Sequence, residues 1–158
     1  MYTVGITGHQ NLPDQAIDFV KHGIANVLHH FHGAFVGVSS LAIGADQLFA
    51  EAVVQSNGRL HAVIPCQGYE TTFTDDAALQ SFRRLLESAG SVETLAYDRP
   101  SEDAFLAAGY RVVELSDIFI AVWDGLEAKG KGGTADIVRY AQGHQKELFV
   151  IWPLGVKR

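Results

Sequence analysis

Glycines and small polar residues recur where hydrophobic, β-branched segments of the chain end. Gly8–Gln10 follows the first such segment, Ser39–Asp46 follows the second, and Asp124–Thr134 follows the fifth. Glycine lets the main chain approach a ligand closely. The free N–H groups at the start of a helix favour an anion. These residue types therefore predict a glycine-lined site for a small phosphate-bearing ligand.

The elements that position these loops alternate regularly between strands and helices. Strands are predicted at Tyr2–Thr7, Ala34–Ser39, Leu60–Pro65, Ser91–Ala96, Asp117–Trp123 and Glu147–Trp152. Helices are predicted, from apolar residues spaced three or four apart, at Asp14–Phe31, Gly44–Gln55, Asp76–Ser88, Glu102–Leu115 and Thr134–Gln142. The alternation predicts a single Rossmann-like α/β domain over residues 1–158, with a doubly wound, mostly parallel sheet and helices on both faces. Ligands bind such sheets beyond the carboxyl ends of the strands, so the loops are expected at one edge.

Composition narrows the class of partner. The 158 residues carry a formal charge of −6, from which we expect no extended nucleic-acid partner. The apolar segments are far shorter than the ~18 residues of a membrane span, and the N-terminal segment is not basic. We therefore expect no membrane partner and a cytoplasmic location. Cys66 is the only cysteine, which excludes an internal disulfide and a cysteine-based zinc site, and no metal is expected.

Two familiar phosphate motifs do not fit. The segment Gly125–Gly132 nearly matches the phosphate loop GxxxxGK[ST], but Gly132 replaces the hydroxyl that would bind magnesium. The spacing of Gly5 and Gly8 does not match the GxGxxG fingerprint of nicotinamide dinucleotide sites.

Three segments, in order along the chain, resemble the SLOG superfamily. They are VGITGHQ (Val4–Gln10), SSLAIGADQLFAE (Ser39–Glu51) and SDIFIAVWDGLEAKGKGGTADIVRYA (Ser116–Ala141). The superfamily groups the Smf/DprA DNA-processing proteins, the LOG phosphoribohydrolases and the molybdenum-cofactor carrier proteins. The resemblance implies a Rossmann-like domain that binds a nucleotide or a related phosphate ligand, with a molybdenum cofactor as an alternative, and that forms a homo-oligomer.

The resemblance also assigns residues by position. Its phosphate end comprises Gly8, Ser39, Gly44, Ala45, Gly132, Gly133 and Thr134, with Ser40 beside it. His9 and Gln10 are placed to reach a base or ribose edge, and Asp124 to accept hydrogen bonds from ribose hydroxyls. Asp46 is expected to cap its helix or to brace its loop rather than to contact an anion. Tyr69 and Phe73, after the third strand, are candidates for stacking on a base.

Whether a bond is broken stays open at the level of the sequence. In the LOG enzymes a glutamate works on the N-glycosidic bond, and Ile137 stands at that position here. Cleavage would need another carboxylate near the ribose, for which Asp124, Asp136 and Glu70 are weak candidates. Three hypotheses remain: a nucleotide-binding protein, a nucleotide N-glycosidase of the phosphoribohydrolase type, and a molybdenum-cofactor carrier or regulatory interaction protein.

Overall fold

The computed structural model describes residues 1–31, 34–127 and 133–158 of the chain. Within them lie six strands, β1 (Tyr2–Gly8), β2 (Phe35–Ser39), β3 (Arg59–Ile64), β4 (Ser91–Thr94), β5 (Ile118–Val122) and β6 (Glu147–Ile151). The α-helices are α1 (Asp14–His29), α2 (Ala45–Gln55), α3 (Asp76–Ser88), α4 (Glu102–Leu115) and α5 (Thr134–Gly143). Each agrees with its predicted counterpart to within about two residues, because the hydrophobic periodicity of these segments is strong. A short 3₁₀ turn at Tyr69–Thr72 was not predicted.

The strands form one sheet in the order β4-β3-β2-β1-β5-β6, and every neighbouring pair is parallel. Helices α1, α2 and α3 contact one another in turn over one face, and α4 contacts α5 over the other. The predicted doubly wound α/β architecture is therefore confirmed. The strand order reverses between β1 and β5, which is the point where ligands enter sheets of this kind.

Burial on both faces explains the apolar strand sequences. All five residues of β5 are buried, since helices cover the centre of the sheet on both sides. One hydrophobic cluster includes Phe49 of α2 and Phe82 of α3, and the other includes Val112 of α4 and Ile137 of α5. These clusters fix the helices against the sheet and so hold the loops at its carboxyl edge.

Among the described helices, none combines the length and the apolar character needed to cross a bilayer.

Candidate functional site

A cavity of about 590 Å³ lies beyond the carboxyl ends of β1, β2 and β3. The loops after these strands form one side of it, and α4 with the start of α5 forms the other. Residues that represent each part of the wall are Gly8, Gln10, Ser40, Asp46, Phe105 and Ile137. The cavity is adjacent to the reversal between β1 and β5 and lies at the carboxyl edge of the sheet, where the sequence predicted the ligand.

The first two loops are packed so closely that only glycine fits at two positions. A Cβ built on Gly8 would lie 2.4 Å from the Cβ of Ala45 and 2.8 Å from that of Val122. Gly44 has a φ of +88°, and a Cβ there would lie 2.4 Å from the carbonyl oxygen of Gln10. The Ala45 N–H donates to the carbonyl of His9 at 3.2 Å. Gly8 therefore lines the cavity, while Gly44 and Ala45 lie outside its lining and fix the position of the first loop.

The loop before α2 is braced by its own polar side chains. The Leu41 N–H donates to Ser39 Oγ at 3.0 Å, and Ser39 Oγ–H donates to the carbonyl of Asp46 at 3.2 Å. The carboxylate of Asp46 accepts from the Ala42 N–H at 3.4 Å, so it braces the loop as the sequence indicated. Ser39 is fully buried beneath this loop, whereas Ser40 and Asp46 line the cavity.

Removal from water raises the pKa of Asp46 from 3.8 to about 7, although main-chain N–H groups of Ala42 and Ser40 oppose the rise. A raised pKa favours the protonated carboxyl in the folded state. The protonated carboxyl of Asp46 contributes its full stabilisation at pH values below the pKa of this group in the unfolded chain. This contribution is lost as the pH rises towards 7.

We therefore expect Asp46→Asn to stabilise the protein at pH 8 and to change it little at pH 4.5. The gain at pH 8 should be roughly 1–3 kcal/mol, since one pKa unit corresponds to about 1.4 kcal/mol and the side chain keeps some contact with water. Urea denaturation at the two pH values measures it. Asp18→Asn, an exposed change on α1, is the matched control and should show no such gain. A loss of stability in Asp46→Asn at pH 8 would contradict the assignment.

His9 joins the first loop to the end of β5 and the start of α5. The Asp124 N–H donates to His9 Nε2 at 3.1 Å, and His9 Nδ1 lies 3.4 Å from Thr134 Oγ1. The imidazole is 6% exposed, and the edge of Trp152 covers it at a ring-centre distance of 5.3 Å. Burial and the nearby Arg158 lower the pKa of His9 and outweigh the opposing influence of Asp124. His9 is thus a neutral imidazole outside the cavity lining, and it connects the first loop with the end of β5 and the start of α5.

Both carboxylate oxygens of Asp124 are occupied within the protein. Its Oδ1 accepts from the Leu126 N–H at 3.0 Å, and its Oδ2 accepts from Arg158 Nε at 2.8 Å. Burial of the carboxylate acts to raise the pKa of Asp124, but these hydrogen bonds outweigh it and the pKa is lowered. Asp124 is therefore a buried anion paired with Arg158 near the C-terminus, a contact that the sequence did not indicate.

The other two weak catalytic candidates are paired with arginines outside the cavity wall. Glu70 is bonded to Arg83 Nε at 3.2 Å, and Asp136 Oδ1 accepts from Arg139 Nη2 at 2.6 Å. Ile137, by contrast, lines the cavity. At the position of the LOG glutamate, this chain therefore places an apolar side chain in the cavity wall.

The predicted phosphate end is described in part. Gly132 lies outside the described residues. Gly133 immediately precedes α5, where Asp136 and Ile137 donate their N–H groups to its carbonyl. Thr134 is the first residue of the helix and is 7% exposed. Of the predicted ligand contacts, Gly8, Gln10 and Ser40 line the cavity directly; His9, Ser39, Gly44, Ala45, Asp124, Gly133 and Thr134 are not in its lining.

The sequence did not indicate that α4 forms one wall of the cavity. This wall consists of Phe105, Ala108, Gly109 and Val112 on α4. Only the strand order shows that α4 returns across the sheet to β1. The small residues at 108 and 109 were the one available indication of a close approach. Tyr69 and Phe73, the suggested stacking residues, line the cavity next to Phe105 but also pack on each other at 5.4 Å.

The described lining is polar without being cationic. It carries hydroxyls from Thr7, Ser40, Thr72, Thr74 and Ser101, side-chain amides from Gln10 and Asn11, and carboxyl groups from Asp46 and Asp75. It includes no lysine, arginine or histidine side chain. An anionic group here would be held by main-chain N–H groups and hydroxyls.

No protein-family model matches the chain, and no curated protein matches its sequence. Several solved structures are similar in fold. DNA processing protein A from Helicobacter pylori has a TM-score of 0.67 at 23% identity, over 94% of this chain and 64% of that one. DprA from Streptococcus pneumoniae has a TM-score of 0.69 at 23% identity, over 94% of this chain and 50% of that one. The molybdenum cofactor carrier protein of Chlamydomonas reinhardtii has a TM-score of 0.58 at 11% identity, over 94% and 75% of the two chains.

The expectation of no extended nucleic-acid partner is contradicted by these comparisons. The Helicobacter pylori protein has this fold, and it binds single-stranded DNA. The expectation rested on the total charge of −6, but a total charge does not describe the local potential of one loop or cleft.

This chain spans about two thirds of the first DprA chain and half of the second, and at these identities the similarity concerns the fold. DprA and the molybdenum-cofactor carriers are both groups that the sequence motifs named. What this chain shares with these proteins is the Rossmann-like fold, as the resemblance to the SLOG superfamily implied.

Proposed function

We propose that the cavity at the carboxyl edge of the sheet binds a nucleotide or a nucleotide-derived phosphate ligand. The observation that carries this proposal is the position of a polar cavity of about 590 Å³ beside the reversal between β1 and β5. That volume lies within the ordinary range for small-molecule sites, roughly 300–1,000 Å³. We take cytoplasmic location and self-association, both expected from the sequence, as parts of the same proposal.

The phosphate end of the ligand lies against Gly8, on the side of the cavity where Ile137 in the first turn of α5 lines the wall. Gly8 lets the ligand approach the main chain, and the N-terminal amides of α5 favour negative charge. The two carboxyl groups of the lining, Asp46 and Asp75, come from the starts of α2 and α3 and suit hydroxyl or amine donors instead.

The nucleoside end lies under α4. Phe105, Tyr69 and Phe73 offer apolar and aromatic surface for a base. Asp46 is placed to accept a hydrogen bond from a ribose hydroxyl or a base N–H group. Binding without cleavage is favoured because Ile137 replaces the LOG glutamate, and because Glu70 and Asp136 are bonded to arginines elsewhere.

A single-stranded DNA ligand is the second candidate. It is favoured by the similarity in fold to the Helicobacter pylori protein, and a nucleotide cavity can hold one unit of such a strand. The same cavity would then contact one base and one phosphate of the oligonucleotide.

A thermal-shift screen tests the proposal. The panel contains nucleoside mono- and diphosphates, cyclic nucleotides, ADP-ribose, a pterin and a short oligothymidylate. A ligand at 100 times its Kd stabilises the folded state by about 2.7 kcal/mol. For a chain of this length we expect a rise in Tm of roughly 5–10 °C. A shift with a mononucleotide supports the first candidate, and a shift with the oligonucleotide alone supports the second. No shift with any phosphate-bearing member would contradict both.

A further inference from the structure

A second cavity, of about 410 Å³, lies at the opposite end of the sheet. Its wall includes Thr3, Phe35, Arg59 and Ser91, each of which is the first or second residue of its strand in β1 to β4. This cavity is therefore separate from the one at the carboxyl edge. It carries its own group of titratable and nucleophilic side chains.

A serine, a histidine and a glutamate form a continuous hydrogen-bonded chain at this cavity. His61 on β3 pairs in register with Ser91 on β4, and the two side chains meet with His61 Nδ1 2.7 Å from Ser91 Oγ. His61 Nε2 lies 3.0 Å from Glu93 Oε1. Arg111 of α4 donates from Nε to both oxygens of Glu93, at 3.1 and 3.2 Å. The cluster is half-buried, and His61 and Ser91 line the cavity.

The protonation states follow from the partners. Burial of Glu93 acts to raise its pKa, but hydrogen bonds from His61 and Arg111 outweigh this and lower the pKa. An ionised carboxylate only accepts hydrogen bonds, so His61 Nε2 carries the proton and donates it. In the neutral imidazole with this tautomer, His61 Nδ1 has a free lone pair and accepts from the hydroxyl of Ser91. Ser91, His61 and Glu93 are thus arranged like the nucleophile, the general base and the orienting carboxylate of a serine hydrolase. The difference is that Nδ1 of the histidine faces the serine here and Nε2 faces the carboxylate.

We propose that Ser91 is an acyl-transfer nucleophile with His61 as its general base, and that this cavity hydrolyses small carboxylic esters. Glu93 is a positioning residue that fixes the imidazole. Arg59 lies two residues before His61 on β3 and donates to the carbonyl of Gly90 at 3.2 Å. Its positive charge is therefore next to Ser91, where it favours a developing oxyanion. The proposal is independent of nucleotide binding at the other edge.

The reaction balances as an ordinary ester hydrolysis. Ser91 Oγ forms a bond to the carbonyl carbon while its proton passes to His61 Nδ1, and the carbonyl electron pair moves onto oxygen. When this pair returns, the bond to the alcohol oxygen breaks and that oxygen takes the proton from His61. Water then attacks the acyl-serine with His61 again as base, which releases the acid and restores Ser91.

The first test is covalent labelling of the full chain. A fluorophosphonate should add one adduct by intact mass, and peptide mapping should place it on Ser91. Ser91→Ala should remove the adduct, whereas Ser88→Ala should keep it; Ser88 is an exposed serine three residues away. No adduct on the wild-type protein, or an adduct on another residue, would overturn the proposal.

The second test is the release of p-nitrophenol from p-nitrophenyl acetate. Ser91→Ala and His61→Gln should each lower kcat/KM by roughly 100-fold or more, the usual range for loss of a nucleophile or general base. Glu93→Gln should lower kcat with little change in KM, because it alters the tautomer of His61 and leaves the cavity in place. Circular dichroism should show the same fold for each variant. Equal hydrolysis by wild-type protein and Ser91→Ala would also overturn the proposal.

Discussion

Gly44→Ala is expected to destabilise the protein by roughly 3–5 kcal/mol, the sum of backbone strain and overpacking. The φ of +88° at Gly44 is unfavourable for any residue with a Cβ. The added methyl would in addition lie 2.4 Å from the carbonyl oxygen of Gln10 and 2.6 Å from that of His9. These are main-chain atoms, so relief requires movement of the whole first loop. Thermal unfolding should show a fall in Tm of roughly 10 °C or more.

Gly68→Ala separates the two causes. Gly68 also has a positive φ, +71°, but a Cβ there would meet no atom of the described residues within 4 Å. This variant should cost only about 1 kcal/mol, the strain of the left-handed conformation. Equal losses in the two variants would mean that the close packing of the first two loops does not contribute to stability.

Gly133→Asp is expected to reduce nucleotide affinity by roughly 100-fold or more while the fold stays intact. Gly133 has an ordinary extended backbone, with φ −69° and ψ 165°, so a residue with a side chain adopts it without backbone strain. Aspartate is also a favourable N-cap, and its carboxylate would accept from the first N–H groups of α5. Those are the groups that we assign to the ligand phosphate. The new charge would in addition repel that phosphate, by several kcal/mol at about 4 Å.

Gly143→Asp is the matched control. It places the same side chain at the other end of α5, where a Cβ meets none of the described atoms within 4 Å. Isothermal titration of both variants with the best ligand of the thermal-shift screen gives the comparison. Wild-type affinity in a folded Gly133→Asp protein would show that α5 does not hold the phosphate.

Sequence patterns were sufficient to predict the elements and their layers. Apolar spacing located each α-helix of the described residues, and the short β-branched segments located each of their strands, since these patterns arise from burial on the two faces of a sheet. The alternation alone predicted a mostly parallel sheet, and every neighbouring pair of strands in the structure is parallel. The 3₁₀ turn at Tyr69–Thr72 was not predicted because it has no hydrophobic period of its own.

The site was predictable only on the side made by the loops after the strands. Gly8, Gln10 and Ser40 follow strands directly, so sheet geometry places them at the carboxyl edge. The contributions of Phe105 and Gly109 depend on the strand order, which local patterns do not determine. The pairing of Asp124 with Arg158 joins residues 34 positions apart, and no spacing rule indicates it.

The cluster of Ser91, His61 and Glu93 shows the same limit at the other end of the sheet. Ser91 and Glu93 follow His61 in the chain by 30 and 32 positions, and parallel pairing of β3 with β4 brings the three together. An alternating pattern predicts that Ser91 and Glu93 share a face of β4. Their alignment with His61 depends on register, which appears only in the three-dimensional structure.

A crystal structure with the strongest nucleotide of the screen would show where the ligand binds. We expect electron density for the ligand in the cavity between the first loop and α4, with a phosphate beside Gly8 and the first turn of α5 and a base against Phe105. Density for the same ligand on another surface, with this cavity occupied only by water, would contradict the proposed binding site.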